Sequence, residues 1–448
     1  MKHDPLSVAL RDARVPRYTS FPPANRFTAS IGPADAGRWI AEIPAGSAIS
    51  LYVHVPFCRR LCWFCACRTQ GTQSDAPLDR YLHHLGQEID LVRKALPPGV
   101  TVGRLHLGGG TPTILSPDRI DALSDRLRAA FSFDPDAEIS VEIDPCDCDD
   151  ARLDALVRAG LSRVSVGVQD FDPRVQETIG RMQSLEVTQD LVAGVRQRGV
   201  ASLNVDLVYG LPYQTEETLR RTLDQVIGMA PERLALFGYA HVPWMAQRQR
   251  LIPDAALPGP DERLHLARVA RDVLVSAGYV AVGIDHFALP GDDLAMAAET
   301  GRLHRNFQGY TTDDAETLIG LGPSAISSCP EGIAQNSAAT GDWQRRIASG
   351  QIATARGHRL SPMDRLAAEV IERLMCDGRA DLEAIAAAHG VETAALVQPA
   401  DRAIGSLPGI GHRDGAMLIS ASPETVRLLA TFFDPGFTNQ DGVYSQAS

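Results

Sequence analysis

The 448-residue sequence has no long apolar stretch, and this absence removes one broad class of protein from consideration. A transmembrane helix requires about 20 consecutive apolar residues, whereas the hydrophobic residues here, 44% of the total, are spread along the chain. The N-terminal segment 1–20 also lacks the continuous apolar core of a secretory leader, so we expect no export signal. The sequence therefore predicts a cytoplasmic protein with no membrane partner.

Positive charge is in short supply as well. Lysine and arginine together number 43 against 55 aspartate and glutamate residues, which gives a formal net charge of −12 at pH 7. Surfaces that bind nucleic acids are rich in basic residues, so no nucleic-acid partner is expected. An anionic substrate would have to be bound by arginines gathered in one place, because the chain as a whole repels it.

Cysteine is scarce, and three of the eight cysteines lie together in one loop. They are Cys58, Cys62 and Cys65, with the spacing C-x3-C-x2-C. No second CxxC or HxxxH pair follows to complete a structural zinc site, and a long chain without a secretory leader has no need of disulfides. Four others have no ligand spacing and are expected in the core or on the surface: Cys146, Cys148, Cys329 and Cys376. For Cys146 and Cys148, which are separated by one residue, a role as a second pair of metal ligands stays open.

The three-cysteine loop directly follows an apolar run, residues 49–54, that is typical of a buried strand. Four-iron clusters are held by cysteine thiolates, and three ligands leave one iron open for the amine and carboxylate of S-adenosylmethionine. The loop resembles the signature loop of radical S-adenosylmethionine enzymes. Cys67 is expected not to bind iron, because a fourth thiolate would close the open position. Whether it is a spare ligand, a catalytic group or a small buried side chain stays open.

Short apolar runs alternate with helical patterns from residue 49 onward, which is typical of βα units around a parallel sheet. Six strands are predicted, at residues 49–54, 101–107, 138–143, 162–168, 201–209 and 233–238. Their number indicates an α/β fold, an incomplete (β/α)6 barrel open on one side, with its chemistry at the C-terminal strand ends.

The remaining segments precede and follow this barrel in the sequence. Residues 1–47 are expected to form an N-terminal arm, and residues 48–360 the barrel with its extension. Residues 361–448 are expected to form a small helical C-terminal domain with helices at 361–375 and 381–389. The polar residues 439–448 are predicted to be disordered.

Polar residues stand where several barrel strands should end. Gly108, Gly109, Gly110 and Thr111 follow the second strand, and the third, fourth and fifth strands are expected to end in Glu142, Gln169 and Asp206. Taken singly, the glycines fit a tight turn and a lone carboxylate fits a salt bridge. Together, beside the cysteine loop, they predict a polar ligand at the mouth of the barrel.

Several strings along the chain resemble one family within this superfamily. The strings are YVHVPFCRRLCWFCAC, LGGGTPT, SVEIDP, VSVGVQDF, GRMQ, NVDLVYGLP, FGYAHVP, IDHFA and HRNFQGYTT. They are similar to the oxygen-independent coproporphyrinogen III oxidases, and the similarity extends from Pro16 to Ile326. Small departures are Trp63 and Ala66, where tyrosine and glycine are familiar, and Phe21, where the arm of the family has a tyrosine.

This resemblance implies a radical S-adenosylmethionine barrel and a defined reaction. Two propionates of coproporphyrinogen III would be oxidatively decarboxylated to vinyl groups by a 5′-deoxyadenosyl radical, giving protoporphyrinogen IX in haem biosynthesis. The implied cofactors are one [4Fe-4S] cluster and two molecules of S-adenosylmethionine. The implied partners are the substrate and a low-potential electron donor such as flavodoxin or ferredoxin, and the implied enzyme is a monomer.

The family pattern also assigns residues. Cys58, Cys62 and Cys65 match its cluster ligands. Residues that match its first S-adenosylmethionine site are Tyr52, Phe64, Gly109, Gly110, Thr111 and Glu142. Those that complete the two cofactor sites are Gln169, Arg181, Asp206, Ala240 and Ile326.

Two other classes compete with the oxidase. A radical S-adenosylmethionine haem chaperone would share the cluster loop, but Cys67, IDHFA and HRNFQGYTT favour the oxidase. A structural iron–sulfur module would not explain the polar residues at the barrel mouth. Arg59, Arg60 and Arg68 flank the cysteine loop, where they would either dock an acidic electron donor or act as ordinary solvated arginines.

Overall fold

The computed structural model describes residues 5–12, 14–438 and 444. Its strands are β1 (Ala48–Val55), β2 (Phe57–Cys58), β3 (Gln70–Gly71), β4 (Thr101–Gly109), β5 (Ser132–Ile143), β6 (Arg163–Gln169), β7 (Ser202–Tyr209), β8 (Arg233–Gly238), β9 (Val280–Val282), β10 (His286–Ala288), β11 (His304–Asn306), β12 (Gly309–Thr311), β13 (Leu318–Leu321), β14 (Ile326–Cys329), β15 (Gly332–Asn336), β16 (Thr354–Arg359), β17 (Arg379–Asp381), β18 (Gly411–Asp414) and β19 (Met417–Ser420). Its α-helices are α1 (Pro5–Asp12), α2 (Pro33–Ala41), α3 (Ala76–Ala95), α4 (Pro117–Ala130), α5 (Asp150–Ala159), α6 (Pro173–Thr178), α7 (Leu185–Gln197), α8 (Glu216–Gly228), α9 (Pro260–Ser276), α10 (Asp293–Glu299), α11 (Thr340–Ala348), α12 (Pro362–Asp377), α13 (Leu382–Ala388), α14 (Ala394–Ser406) and α15 (Pro423–Ala430).

Twelve strands form one sheet, in the order β16-β15-β14-β13-β1-β4-β5-β6-β7-β8-β10-β9. The strands from β1 to β8 in this order run parallel to one another, and helices connect each to the next. They match the predicted strands, although β5 begins earlier, at Ser132. Because the order starts at β16 and ends at β9 without closing, the prediction of an incomplete barrel is confirmed.

Side chains alternate between the two faces of each barrel strand. On β6, Val164 and Val168 are buried, whereas Ser165 lines the cavity inside the barrel. On β7, Asp206 lines the same cavity, and the strand continues beyond it to Tyr209. The expectation that Asp206 ends its strand is therefore wrong: strand periodicity points it into the barrel interior.

The C-terminal segment contains both predicted helices. Helix α12 begins after Ser361, whose hydroxyl accepts a hydrogen bond from the Asp364 amide at 3.1 Å, and α13 ends just before Gly390. The segment also contains α14, α15 and the antiparallel sheet β17-β19-β18, which were not predicted. The predicted disordered tail, residues 439–448, lies outside the described residues apart from Tyr444. The bounds of the three predicted domains stay predictions.

The N-terminal arm is attached to this C-terminal segment. Val15 and Tyr18 belong to the same apolar cluster as Leu374 of α12. The Tyr18 hydroxyl donates to Asp434 Oδ2 at 3.1 Å, and Arg427 of α15 donates to Val15 O at 2.8 Å. The described part of the arm therefore packs against the C-terminal segment.

A buried carboxylate, Glu88 of α3, joins the helix layer to the loop between β13 and β14. It is 1% exposed and accepts hydrogen bonds from the Gly322 amide at 2.6 Å, Asn336 Nδ2 at 2.7 Å and Trp343 Nε1 at 3.1 Å. Burial raises the pKa of Glu88 to about 7, against the opposing effect of these donors. The carboxylate thus fixes the loop that leads to Ile326.

Glu88→Gln is expected to lower the free energy of unfolding by about 3 kcal/mol, because one amide oxygen cannot accept from all these buried donors. The raised pKa means that the folded state binds more protons than the unfolded state between pH 4.5 and about 7. Wild-type stability should therefore fall as pH rises through this window, and the variant should lose that slope. Urea unfolding measures both effects. The control is Glu217→Gln, a change at an exposed residue, whose free energy of unfolding should stay within about 0.5 kcal/mol of wild type. A urea midpoint for Glu88→Gln equal to that of wild type would contradict the prediction.

Candidate active site

The three-cysteine loop lies at the carboxyl end of β1, between that strand and α3. It is anchored on the segment that follows β4, because the Gly110 amide donates to Val55 O at 2.8 Å and the Thr111 amide donates to Phe57 O at 2.9 Å. A Cβ atom at residue 110 would come within 2.5 Å of the same Phe57 oxygen, so only glycine fits. The glycines of this segment thus hold the loop against the barrel mouth.

The thiols of the loop occupy different electrostatic environments. Arg181 Nη1 lies 3.6 Å from Cys62 Sγ. A hydrogen bond from Cys67 lowers the pKa of Cys65, although burial opposes the shift. Burial raises the pKa of Cys58 to about 11. Because the thiolate is the form that binds metals, the Cys67 contact favours the ligating form of Cys65, while Arg181 places a positive charge beside the Cys62 sulfur.

Arg181 is itself held rigidly. Its guanidinium donates to Asp144 Oδ2 at 2.9 Å and to Gly167 O at 2.7 Å, and the residue is 7% exposed. Asp144 also lies 3.7 Å from Arg60 Nη2. A fixed positive charge therefore faces Cys62.

The donor set fits a four-iron cluster better than a single metal ion. Within the ranges that the structure describes, no group of at least three His, Cys, Asp or Glu side chains is arranged to hold one ion. A four-iron cluster instead takes one thiolate on each of several irons, which the spacing of Cys58, Cys62 and Cys65 suits. All eight cysteines are free thiols, and Cys67 is exposed. Of the three alternatives left open for Cys67, a small buried side chain does not agree with this exposure, while the exclusion of Cys67 from the cluster stays a prediction.

One wall of the mouth combines aromatic, imidazole and carboxylate groups. The Tyr52 hydroxyl is 2.9 Å from His54 Nδ1, and the Tyr52 ring stacks on His106 with centroids 5.8 Å apart. Glu142 Oε2 accepts from the Gly109 amide at 3.0 Å, and Oε1 is 3.3 Å from His106 Nε2. Burial acts to raise the pKa of Glu142, but the hydrogen bonds to His106 and Gly109 hold that pKa below its ordinary value. The Glu142 side chain remains 41% exposed, so its carboxylate has room for a ligand.

A second carboxylate lies two strands away in the same sheet, on β7. Asp206 accepts hydrogen bonds from the Ser165 hydroxyl at 3.0 Å and from Asn204 Nδ2 at 2.7 Å. Burial raises the pKa of Asp206 to about 6. Gln169, the last residue of β6, has a φ of 69°, which turns the chain sharply at the strand end. Neither Ser165 nor Asn204 was predicted, since only their contact with Asp206 draws attention to them.

A buried glutamine joins two of the predicted site residues. Gln249 Nε2 donates to Phe64 O at 2.7 Å and to Ala240 O at 3.0 Å, and Gln249 is fully buried. It therefore links the cysteine loop to the segment after β8. The sequence reasoning missed Gln249, because no spacing or motif distinguishes it from a surface glutamine.

Three of the predicted residues, Glu142, Asp206 and Ile326, line two neighbouring cavities. One, of about 210 Å³, lies inside the barrel and is lined by Glu142, Asp206 and His286. The other, of about 360 Å³, is lined by Ile326 and His304 beneath the arm. The structure thus brings the two strand carboxylates together and places Ile326 in the adjacent space.

Comparisons with known proteins agree with this geometry. Residues 52–226 match the family model described as the Radical SAM superfamily. The sequence is 53% identical over 389 residues to the oxygen-independent coproporphyrinogen III oxidase of Paracoccus denitrificans, covering 87% of this chain and 86% of the relative. It is 49% identical to the Cereibacter sphaeroides protein of the same name, over 95% of each. The solved structure of Escherichia coli coproporphyrinogen III oxidase, described as a radical SAM enzyme, superposes with a TM-score of 0.89 at 38% identity, covering 94% of this chain and 98% of that one.

The barrel and the three-cysteine loop therefore define a radical S-adenosylmethionine enzyme. The full-length relatives narrow this class to one reaction family. The chain belongs to the oxygen-independent coproporphyrinogen III oxidases. The family and fold predicted from the sequence are confirmed, while the cofactor-binding roles assigned to individual residues stay predictions.

Proposed function

We propose that this enzyme oxidatively decarboxylates two propionates of coproporphyrinogen III to vinyl groups without oxygen, giving protoporphyrinogen IX in porphyrin and haem biosynthesis. The observation that carries the proposal is the three-thiol loop beside a polar barrel cavity, in a chain 53% identical to a protein named for this reaction. Neither a loop alone nor a barrel alone would specify the substrate.

Cys58, Cys62 and Cys65 would hold the [4Fe-4S] cluster. When bound, the cluster and S-adenosylmethionine supply the radical that removes hydrogen from a propionate. The residues of the chain bind, orient and exclude water. Arg181 places a fixed positive charge beside the Cys62 sulfur, and Gln249 holds the carbonyl groups at Phe64 and Ala240 in fixed positions.

Two S-adenosylmethionine molecules are part of the proposal. The support for this number is the pair of separate strand carboxylates, Glu142 on β5 and Asp206 on β7, on one cavity. Glu142 has a lowered pKa and Asp206 a raised one. The two carboxylates have different surroundings: Glu142 accepts from the Gly109 amide beside His106, and Asp206 accepts from Ser165 and Asn204. Glu142 would accept from the charged amine, and Asp206 from a ribose hydroxyl.

The reductant is proposed to be a small acidic carrier such as flavodoxin or ferredoxin. Of the arginines beside the loop, Arg59 is paired with Asp75 at 2.5 Å and Arg60 donates to Met182 O at 2.5 Å. These partners leave Arg68 as the stronger candidate of the three for docking the electron donor.

A cytoplasmic monomer completes the proposal, and the eight free thiols suit a reducing compartment. None of the helices in residues 5–12 and 14–438 combines the length and apolarity needed to cross a bilayer.

An anaerobic assay separates the oxidase from a haem chaperone. Reconstituted protein is given coproporphyrinogen III, S-adenosylmethionine and a reductant, and the tetrapyrrole products are separated by chromatography. The oxidase should release protoporphyrinogen IX and consume S-adenosylmethionine with each decarboxylation. Omission of S-adenosylmethionine is the control and should leave the substrate intact. Tight haem binding without any coproporphyrinogen turnover, in protein with a full cluster, would show that the proposal is wrong.

A further inference from the structure

Two arginines from distant parts of the chain meet at the barrel mouth. Arg17 of the arm donates through Nη2 to the carbonyl of Gly238, the last residue of β8, at 2.5 Å. Arg305 of β11 donates through Nε to Tyr18 O at 3.2 Å, and its Nη1 lies 3.7 Å from Asp285 Oδ1. Both guanidinium groups act electrostatically on the Asp285 carboxylate.

Asp285 does not form a short hydrogen bond with Arg305. Its Oδ1 is 2.7 Å from His286 Nδ1 and 3.7 Å from Arg305 Nη1. The Arg305 side chain is only 4% exposed, yet its buried Nη1 has no hydrogen-bond partner. Despite burial, Arg305, His286 and Arg17 together hold the pKa of Asp285 at about 2, so this carboxylate stays ionised.

Further positive charge surrounds the pair. Arg427 lies within electrostatic reach of Arg17 and Arg305, and burial together with these like charges lowers its pKa to about 9. Burial lowers the pKa of Arg263 as well, and Arg17 adds to the shift. A buried region rich in guanidinium groups gains stability when a further anion enters it.

The arginines deeper in the barrel are arranged differently. Arg163 pairs with Glu138 at 2.6 Å, and Arg233 pairs with Asp292 at 2.6 Å. Each of these buried guanidinium groups has a carboxylate at hydrogen-bond distance. Arg305 has none at that distance among the residues described, so the mouth is built to receive an acceptor from outside the chain.

The position of the pair matches the predicted cofactor sites. Arg305 lines the 360 Å³ cavity together with Phe307 and Ile326. Arg17 is bonded to the end of β8, two residues before Ala240. A carboxylate held here would lie at the border between the cofactor residues and the arm.

We propose that Arg17 and Arg305 bind a propionate carboxylate of the substrate, one other than the propionate that is reacting. This inference rests on the proposed function. Every pyrrole ring of coproporphyrinogen III carries a propionate, and only two of them are converted, so the others are available as anchors throughout. Guanidinium groups bind carboxylates through parallel N–H donors, and Arg305 Nη1 is a donor without a partner. The arm would thereby help to select the substrate as well as cover it.

The test uses full-length reconstituted enzyme with S-adenosylmethionine and two stable probes. Coproporphyrin III carries the propionates, and its tetramethyl ester lacks the charges. Equilibrium binding is followed by porphyrin fluorescence for wild type, Arg17→Lys, Arg305→Lys and the double variant. Lysine keeps the charge and removes the paired donors. Each single variant should weaken coproporphyrin binding about tenfold, with no change in binding of the ester. The double variant should weaken coproporphyrin binding by less than the product of the two single fold-changes, because both arginines hold the same carboxylate.

Arg128→Lys is the matched control. Arg128 donates to Ala159 O at 2.8 Å and lies 5.1 Å over the Phe133 ring, much as Arg305 donates to Tyr18 O and lies 4.3 Å over the Tyr310 ring. It should bind both probes as wild type does. Arg17→Lys carries the test should Arg305→Lys not fold, since Arg17 is only partly buried.

Two different failures can be distinguished. Wild-type affinity for coproporphyrin in both single variants would overturn the inference and leave the proposed function intact. Equal weakening for the ester would do the same, because it would indicate a packing effect. A wild-type enzyme that neither binds coproporphyrin nor converts coproporphyrinogen would overturn the proposed function itself.

Discussion

Cys62→Ala should yield a protein that retains no four-iron cluster after anaerobic reconstitution and converts no substrate. Cys62 is buried beside the Arg181 guanidinium, and alanine would remove both the iron ligand and the sulfur that faces this charge. The same loss is expected for Cys58→Ala and Cys65→Ala, since a cluster with two protein ligands is not held firmly. Iron and sulfide content, the visible absorption of the cluster and product formation measure the effect.

Cys67→Ala and Cys148→Ala are the controls, and both should keep the cluster. The first should show a subtler change, because its hydrogen bond lowers the pKa of Cys65. Without that bond the Cys65 pKa rises, so cluster formation should require higher pH than in wild type. Complete loss of the four-iron spectrum in Cys67→Ala would mean that the ligand assignment is wrong.

Glu142→Ala and Asp206→Ala should each weaken S-adenosylmethionine binding by on the order of 1.5–3 kcal/mol where the lost partner is charged. Glu142 keeps 41% of its side chain exposed beside Gly109, and Asp206 lines the same cavity from β7. Because the two carboxylates are expected to serve separate molecules, each variant should lose one of two binding events. Equilibrium binding to cluster-loaded protein measures affinity and stoichiometry together.

Asp190→Asn, an exposed change on α7, is the control and should bind both molecules normally. Glu142 should show the larger loss, since its lowered pKa keeps it ionised toward a charged amine. Unchanged affinity and cleavage in both alanine variants, with the cluster intact, would contradict their assignment to the cofactor sites.

Much of the barrel could be predicted from the sequence because its strands are long and their signals are local. Val164 and Val168 alternate with polar residues on β6, and the cysteine spacing lies within one short loop. Strand periodicity also explains the misplaced Asp206, which faces inward before its strand ends. Gly108 and Gly109, expected after the second strand, are instead the last residues of β4, and Glu142 is followed by one further strand residue, Ile143.

The features that escaped prediction depend on contacts between distant residues. The strands β9 to β12 are only three residues long, too short for a periodic signal. Gln249 acquires its role only where Phe64 and Ala240 approach each other. Arg17 and Arg305 are 288 positions apart and meet through Tyr18 and Asp285. His286 and His304 had no assigned role, and their carboxylate partners, Asp285 and Glu372, are visible only in the fold.

The attachment of the arm to the last part of the chain has a consequence for the order of biosynthesis. Val15 and Tyr18 precede the barrel in the sequence, whereas their partners Arg427 and Asp434 follow it. The arm therefore cannot take its final position until residues 427 and 434 have been synthesised, although the cysteine loop and the six barrel strands have emerged before then. During synthesis, the barrel with its three-cysteine loop thus exists before the contacts that fix the arm can form.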